Sequence, residues 1–386
     1  MKLPRTEYEN RVRSIRSRMT FRGLNALLIY SQPGGAAKRL EAGNIEYVAG
    51  FSSKAASLII IPLDGDPTLI VAPGFGGGKI NLAKEESWIK DVRGTPSQFW
   101  GADYVGDAEK TLEGIELINS KIGIVGTPLM SRNLYERFFK IFPNLEDDTG
   151  LIEELRHVKS PLEIELIRKA NELADIGIGV FFDAIKPGIK QNEAVLEAEY
   201  EMKRRGAQEA QIIMSGGRPW YWDTERGDLE FKRGDMIGVE FNATWKDYVG
   251  QLVRSCVIGK ASAKQKRLDE VIQEAYKKMI EAVKPDATAE QVNQAGMKVV
   301  KNAGYPYPYG GMRNGHGMGL CMAEGFDLTP GDKTELKSGT YVEVHPNISS
   351  WDICVEEASL GVTGDAALVT ETGCEILNFY QRQLEI

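Results

Sequence analysis

Two of the three histidines in this 386-residue chain stand in short patterned segments of its last quarter. His316 lies in the glycine-rich run Gly315-His316-Gly317-Met318-Gly319-Leu320, and His345 closes the strand-like run at 340–345, just before Pro346. Imidazole suits proton transfer near neutral pH and is also a common metal ligand. Upstream, residues 234–241 read as a strand carrying Glu240, and residues 248–254 as a second strand carrying Tyr248, Gln251 and Arg254. One carboxylate and two imidazoles brought together would suffice for acid–base hydrolysis, or for holding one divalent ion. The third histidine, His157, sits between Arg156 and Lys159 and reads as structural.

These residues need a frame. Residues 1–152 alternate helical and strand-like stretches, with a helix at 8–22, a buried strand at 26–30, a hairpin over 57–62 and 68–72, and a strand and helix at 121–125 and 131–139. Such mixing predicts an open α/β domain. A boundary falls within 147–159, because Ser160-Pro161 followed by Glu163 is a helix start. Residues 153–386 contain an internal repeat. Ala184-Ile185-Lys186-Pro187 precedes Gly206, and Ala282-Val283-Lys284-Pro285 precedes Gly304, each pair separated by 98 residues. Each copy follows an amphipathic helix, at 162–182 and 266–283. Two pseudo-symmetric halves packed together offer a crevice for a site.

Composition narrows the class. Forty-seven basic against 55 acidic residues give a net charge of −8, which argues against a nucleic-acid partner. No apolar run reaches the length of a membrane span, residues 1–18 are dense in charge, and the four cysteines are scattered without a Cys-x-x-Cys pair. A cytoplasmic protein is expected. The run Gly74-Phe75-Gly76-Gly77-Gly78 lacks the Gly-Lys-Ser/Thr ending of a phosphate loop and predicts a flexible lid or dimer contact instead.

Several segments together resemble the creatinase, prolidase and methionine aminopeptidase family, whose duplicated catalytic fold is called the pita bread. They are Asn44-Ile45-Glu46-Tyr47-Val48-Ala49-Gly50-Phe51, the junction run from Leu155 to Glu163, Gly234-Asp235, Gly315-His316-Gly317, and Leu368-Val369-Thr370-Glu371-Thr372-Gly373. The resemblance covers essentially the whole chain and implies an α/β N-terminal domain followed by an α+β pita-bread domain, a small-molecule substrate and a homodimer. Metallopeptidases of that family hold two metals with two Asp, one His and two Glu. At those positions this chain has Glu240, Gln251, His316, His345 and Gly364. Ala323 stands where a second histidine is expected, beside Glu324.

With neutral Gln251 and a bare Gly364, the set has lost the charge that two cations need. It most resembles the metal-independent creatinase and ectoine-hydrolase-like members. The leading expectation is therefore a hydrolase without a cofactor, cleaving a C–N bond of a small polar or cationic nitrogen compound. Glu240 would activate water or attack directly, while His316 and His345 move protons. Arg254 would hold a substrate carboxylate, with Gln251, Glu324 and Tyr248 as further substrate contacts. Trp220 and Trp222 would cage a cation by cation–π attraction. The alternatives are an Xaa-Pro dipeptidase-like metallopeptidase with one divalent metal at Glu240, His316 and His345, and a catalytically inactive binding protein.

Overall fold

The computed structural model describes residues 2–32, 40–52, 55–97, 101–216, 223–224, 229–305, 313–349 and 359–386. The chain divides into two compact units, Met1–Arg156 and His157–Ile386.

The first unit opens with α1 (Arg5–Arg22), whose Tyr8, Val12, Ile15 and Met19 recur every three or four residues and form one buried stripe. Gly23 ends it at φ +70°, a left-handed cap that a β-carbon would disfavour. Then follow β1 (Ala26–Ser31), α2 (Asn44–Ala49), β2 (Ser57–Pro62), β3 (Thr68–Val71), α3 (Gly78–Glu86), β4 (Asp91–Arg93), α4 (Tyr104–Gly114), β5 (Ile122–Val125), α5 (Arg132–Ile141), β6 (Leu145–Asp147) and α6 (Leu151–Arg156). The strands make one sheet in the order β4-β3-β2-β1-β5-β6. β1 is buried along its whole length, as expected for a strand with neighbours on both edges; it runs antiparallel to β2 and parallel to β5. The expected hairpin is β2–β3. The glycine run forms a 3₁₀ turn (Phe75–Gly77) that leads into α3, with Phe75 exposed.

The second unit comprises α7 (Pro161–Ala184), α8 (Gln191–Arg204), β7 (Glu209–Gly216), β8 (Asp223–Thr224), β9 (Met236–Trp245), β10 (Tyr248–Val257), α9 (Ala263–Ala282), α10 (Ala289–Asn302), β11 (Gly315–Gly317), β12 (Tyr341–Val344), β13 (Asn347–Ile348), β14 (Gly361–Val369) and β15 (Cys374–Ile376). Helix α7 starts where the sequence predicts. Ser160 accepts from the Glu163 amide, Glu163 accepts from the Ser160 amide, and Pro161 fills the first helical position. Ser262 with Gln265 and Thr288 with Gln291 build the same box at α9 and α10. The repeat is structural. α7 and α9 end at Ala184 and Ala282, α8 and α10 are both 14 residues long, and Gly206 and Gly304 follow at φ +106° and +86°. The ends of α7 and α9, both ends of α8 and α10, and the two glycines return at the 98-residue interval, while α9 starts four residues later than that interval would place it, so this unit is an internal duplication.

One sheet, in the order β11-β12-β14-β10-β9-β7-β8, carries both halves, with β13 and β15 also on β14. Strand alternation sorts its side chains. Ile237, Val239, Phe241, Leu252 and Cys256 pack with Phe181 and Phe182 of α7. Val342, Val344, Ala367 and Val369 pack with Met279 of α9 and Val292 of α10. Truncating a buried phenylalanine such as Phe181, edge-on to Phe231 and Phe241, would cost about 3–5 kcal/mol. The alternate residues, Glu240, Asn242, Gln251, Val253, Glu343, Gly364 and Ala366, belong to the opposite face.

Candidate active site

Two cross-strand rows lie side by side on that opposite face. Glu240 pairs with Val253 and Val253 with Gly364. One step beyond the β12–β14 ladder, His345 stands next to Gly364, and its amide donates to the Asn314 carbonyl at 3.0 Å. The second row runs from Asn242 through its partner Gln251 towards Ala366, which pairs with Glu343, and Glu343 pairs with His316. Glycine and alanine on β14 leave the centre of both rows open.

Above them is a cavity of about 450 Å³ whose lining includes Glu240, His316, His345, Arg313, Asp327 and Asn347. The structure thus brings together the three residues expected to do chemistry. The imidazoles of His316 and His345 meet edge to face, centroids 5.2 Å apart. Burial holds both far below the usual histidine range, His345 at about 3, and nearby Arg313 pushes in the same direction. Both are neutral near pH 7. His316 sets Nδ1 3.1 Å from the Gly317 carbonyl and also meets the Met322 carbonyl, and a neutral ring can donate to only one of them at a time.

Glu240 is 6% exposed. Its Oε1 accepts from Asn242 Nδ2 at 2.9 Å and from Gln251 Nε2 at 2.5 Å. Burial raises its pKa, and these two donors partly offset the shift. Gln251 thus performs a task an aspartate there could not: a second carboxylate would repel Glu240, whereas the amide donates to it.

The remaining expectations are corrected, for Arg254 and Tyr248 by strand phase and for Glu324 and Gln251 by their hydrogen bonds. Arg254 points to the helix side, where NH2 donates to Asp365 Oδ1 at 2.6 Å and NH1 to the Gly364 carbonyl at 2.5 Å. Its expected grip on a substrate carboxylate is replaced by this buried ion pair. Tyr248 donates its hydroxyl to Glu163 Oε1 at 2.9 Å and braces the start of α7. Glu324 accepts from Lys159 Nζ at 3.2 Å and from the Cys321 amide at 3.0 Å, locking the turn after His316. Gln251 is fully buried and reaches Glu240 rather than the cavity. None of these four lines the cavity. Trp220 and Trp222 lie outside the described residues.

Sequence reasoning missed Arg313 and Asp327, which come from connections without periodicity, and Asn347, which opens the two-residue strand β13. It also missed Glu343. That side chain is fully buried, neither carboxylate oxygen has a hydrogen-bond partner among the described residues, and burial followed by repulsion from Asp365 and Glu240 pushes its pKa well up. Its position two residues before His345 on one strand was the available signal.

Residues 165–371 match the description of metallopeptidase family M24, and residues 11–158 that of the creatinase/prolidase N-terminal domain. The chain belongs to metallopeptidase family M24. It is 30% identical over 349 residues to an Xaa-Pro dipeptidase of Pyrococcus furiosus, covering 88% of this chain and 92% of that one. It is 28% identical over 381 residues to the Xaa-Pro dipeptidase of Pyrococcus horikoshii, covering 97% and 98%. The crystal structure of the prolidase from Pyrococcus horikoshii OT3 superposes with a TM-score of 0.82 at 26% identity, over 97% of this chain and 99% of that one. As a member of this family the protein is a hydrolase acting on C–N bonds.

Membership overturns one expectation. A hydrolase without a cofactor does not stand, because the matched family is one of metallopeptidases and the relatives carry dipeptidase names. The relatives also favour the Xaa-Pro dipeptidase alternative over the small cationic nitrogen compound. The donor set is nevertheless unusual for such a family. Among the described residues, no group of three or more His, Cys, Asp or Glu side chains converges to hold a metal ion. The described side chains are thus no ready-made metal cage. Among the same residues, no helix is long and apolar enough to cross a membrane.

Proposed function

We propose that this protein hydrolyses the C–N bond of a small peptide of the Xaa-Pro dipeptide kind, in the cavity above Glu240, His316 and His345. The observation that carries the reading is the convergence of one buried carboxylate and two neutral imidazoles on a cavity of about 450 Å³, a volume that suits a small organic substrate. The two Pyrococcus dipeptidases, matched over nearly their full length, support the choice of substrate class.

Amide hydrolysis needs a base to take a proton from the attacking water and an acid to return one to the departing nitrogen. Glu240, fixed through Oε1 by two amides, is the base. Its raised pKa brings it nearer to the working pH than an ordinary glutamate, which suits it to accept and then release a proton. His316 and His345, in edge contact beside it, carry that proton to the nitrogen.

The test is turnover of alanyl-proline by purified protein supplied with manganese, cobalt or zinc, against the same protein held in chelator. Hydrolysis that is lost with chelator is the expected result. Cleavage of ectoine but of no Xaa-Pro dipeptide would overturn it. Glu240→Gln and His316→Ala should each lower kcat by about 10²–10⁴-fold with an unchanged melting profile.

A further inference from the structure

Helix α10 buries an asparagine where its repeat buries a valine. The 98-residue interval aligns Asn293 of α10 with Val195 of α8, and both side chains are buried. Val195 belongs to the apolar core around Phe181. An asparagine gains nothing from such a position by itself, because it is a poor helix former and its amide must be hydrogen-bonded once water is removed. Its partner is therefore informative. Asn293 Oδ1 accepts from Asn314 Nδ2 at 2.8 Å.

Asn314, also buried, uses all four of its polar groups. Its amide donates to the Leu328 carbonyl at 3.0 Å, and its carbonyl accepts from the His345 amide at 3.0 Å. Oδ1 accepts from the Asn347 amide at 3.3 Å, which fixes the way the side chain points and leaves Nδ2 for Asn293. Asn347 Nδ2 donates in turn to the Arg313 carbonyl at 3.2 Å. Arg313, His316, His345 and Asn347 all line the cavity, and each is bonded to Asn314 or lies within two residues of it.

This corner needs such a hold. β11 is three residues long, Gly315-His316-Gly317, and stands at one end of the order of the described strands. The register of a glycine-rich strand is weakly specified by its ladder alone. His316 comes from β11 and His345 from just beyond its neighbour β12, so the spacing of the two rings depends on how β11 sits. Helix α10 offers a fixed point, since Ala289 and Val292 embed it in the core.

We propose that Asn293 and Asn314 are positioning residues for the hydrolysis: through this amide pair α10 holds β11 against the end of β12 and sets the spacing of the His316 and His345 imidazoles. The inference rests on the reading that these two rings carry the proton.

Two substitutions at one position decide it. Asn293→Val installs the residue that the other half uses and removes the acceptor, whereas Asn293→Asp keeps an acceptor oxygen at the same reach. In the metal-supplemented assay with alanyl-proline, the valine variant should melt cooperatively and lower kcat by about 10–100-fold with KM within about twofold, because small misplacements of catalytic groups cost that much. The aspartate variant should retain most of the wild-type kcat. Ring geometry is read separately, without turnover. With three histidines in the chain, a nuclear Overhauser contact between the labelled rings of His316 and His345 is assigned by removing each in turn. It should be strong in the wild type and the aspartate variant and weak in the valine variant. Should the valine protein not fold, Asn293→Ala carries the same comparison. A folded valine or alanine variant that keeps either kcat or the ring contact would overturn the proposal, as would equal losses in the valine and aspartate variants. If the wild type hydrolyses no Xaa-Pro peptide, the functional reading falls, and the ring contact alone still decides whether α10 sets the spacing.

Discussion

On the helix side of the second unit's sheet, Arg254 NH2 donates to Asp365 Oδ1, and Tyr276 from α9 donates to Asp365 Oδ2 at 2.7 Å. One residue away along each strand, on the cavity side, Val253 presents an apolar side chain and Gly364 none, and among the described residues Glu343 nearby has no hydrogen-bond partner. Both faces bury charge, but they handle it in opposite ways. The helix side closes its network inside the protein, so that removing one member strands another. The cavity side holds carboxylates and imidazoles whose ionisation is opposed by burial, next to a cavity lined by Glu240, His316 and His345. Buried ionisable residues alone therefore do not mark a site; incomplete pairing beside a cavity does.

The contrast can be broken most forcefully on the helix side. Arg254→Met removes the cation from a buried pair and should lower unfolding stability by about 3–5 kcal/mol, read from urea denaturation. Should the variant instead fold normally and only raise KM, Arg254 would serve substrate and the two faces would not differ as described. Gly364→Ala probes the join between the two rows. The new methyl would stand 2.5 Å from the His345 β-carbon and 2.9 Å from its α-carbon, so β12 must move. A loss of about 1–3 kcal/mol is expected, together with lower turnover.

Acid sharpens the comparison more gently. His345 is held at about 3 in the folded protein and returns towards 6.5 when unfolded. Between those values the unfolded chain binds more protons, so this residue's contribution is present above about pH 6.5 and is lost as pH falls towards 3. Chelator-treated His345→Gln should therefore show a shallower decline in stability over that window, by about 1 kcal/mol per pH unit. Glu343 acts with the opposite sign. Its raised pKa makes burial favourable while it is protonated, and the benefit is lost as pH rises above the ordinary glutamate range. Glu343→Gln should raise the melting temperature of chelator-treated protein at pH 7 by a few degrees, the smallest of these effects.

Much of this was legible in the chain because the signals are local. Ser160-Pro161 with Glu163 specifies its own helix start, and the Ala-x-Lys-Pro repeat announces two helix pairs with equal spacing. His316, His345 and Glu240 could be picked from short motifs and do meet at one cavity. Arg254, Tyr248 and Glu343 were misjudged or overlooked for one reason: residue type was read without strand phase. Gln251 and Arg254 are three apart on a strand, as are Gln251 and Tyr248, and odd separations place side chains on opposite faces. Glu343 and His345 are two apart and share one. Arg313 and Asp327 lie in connections with no period to follow, and only the fold brings them to the cavity.

The close approach of Gly364 to His345 constrains how such a site can be altered in the laboratory. A designer wishing to restore an acidic residue at 364 must let His345 shift, because a β-carbon there stands 2.5 Å from the His345 β-carbon. The two positions are sterically coupled, so a library that varies them together samples combinations that changing position 364 alone leaves strained.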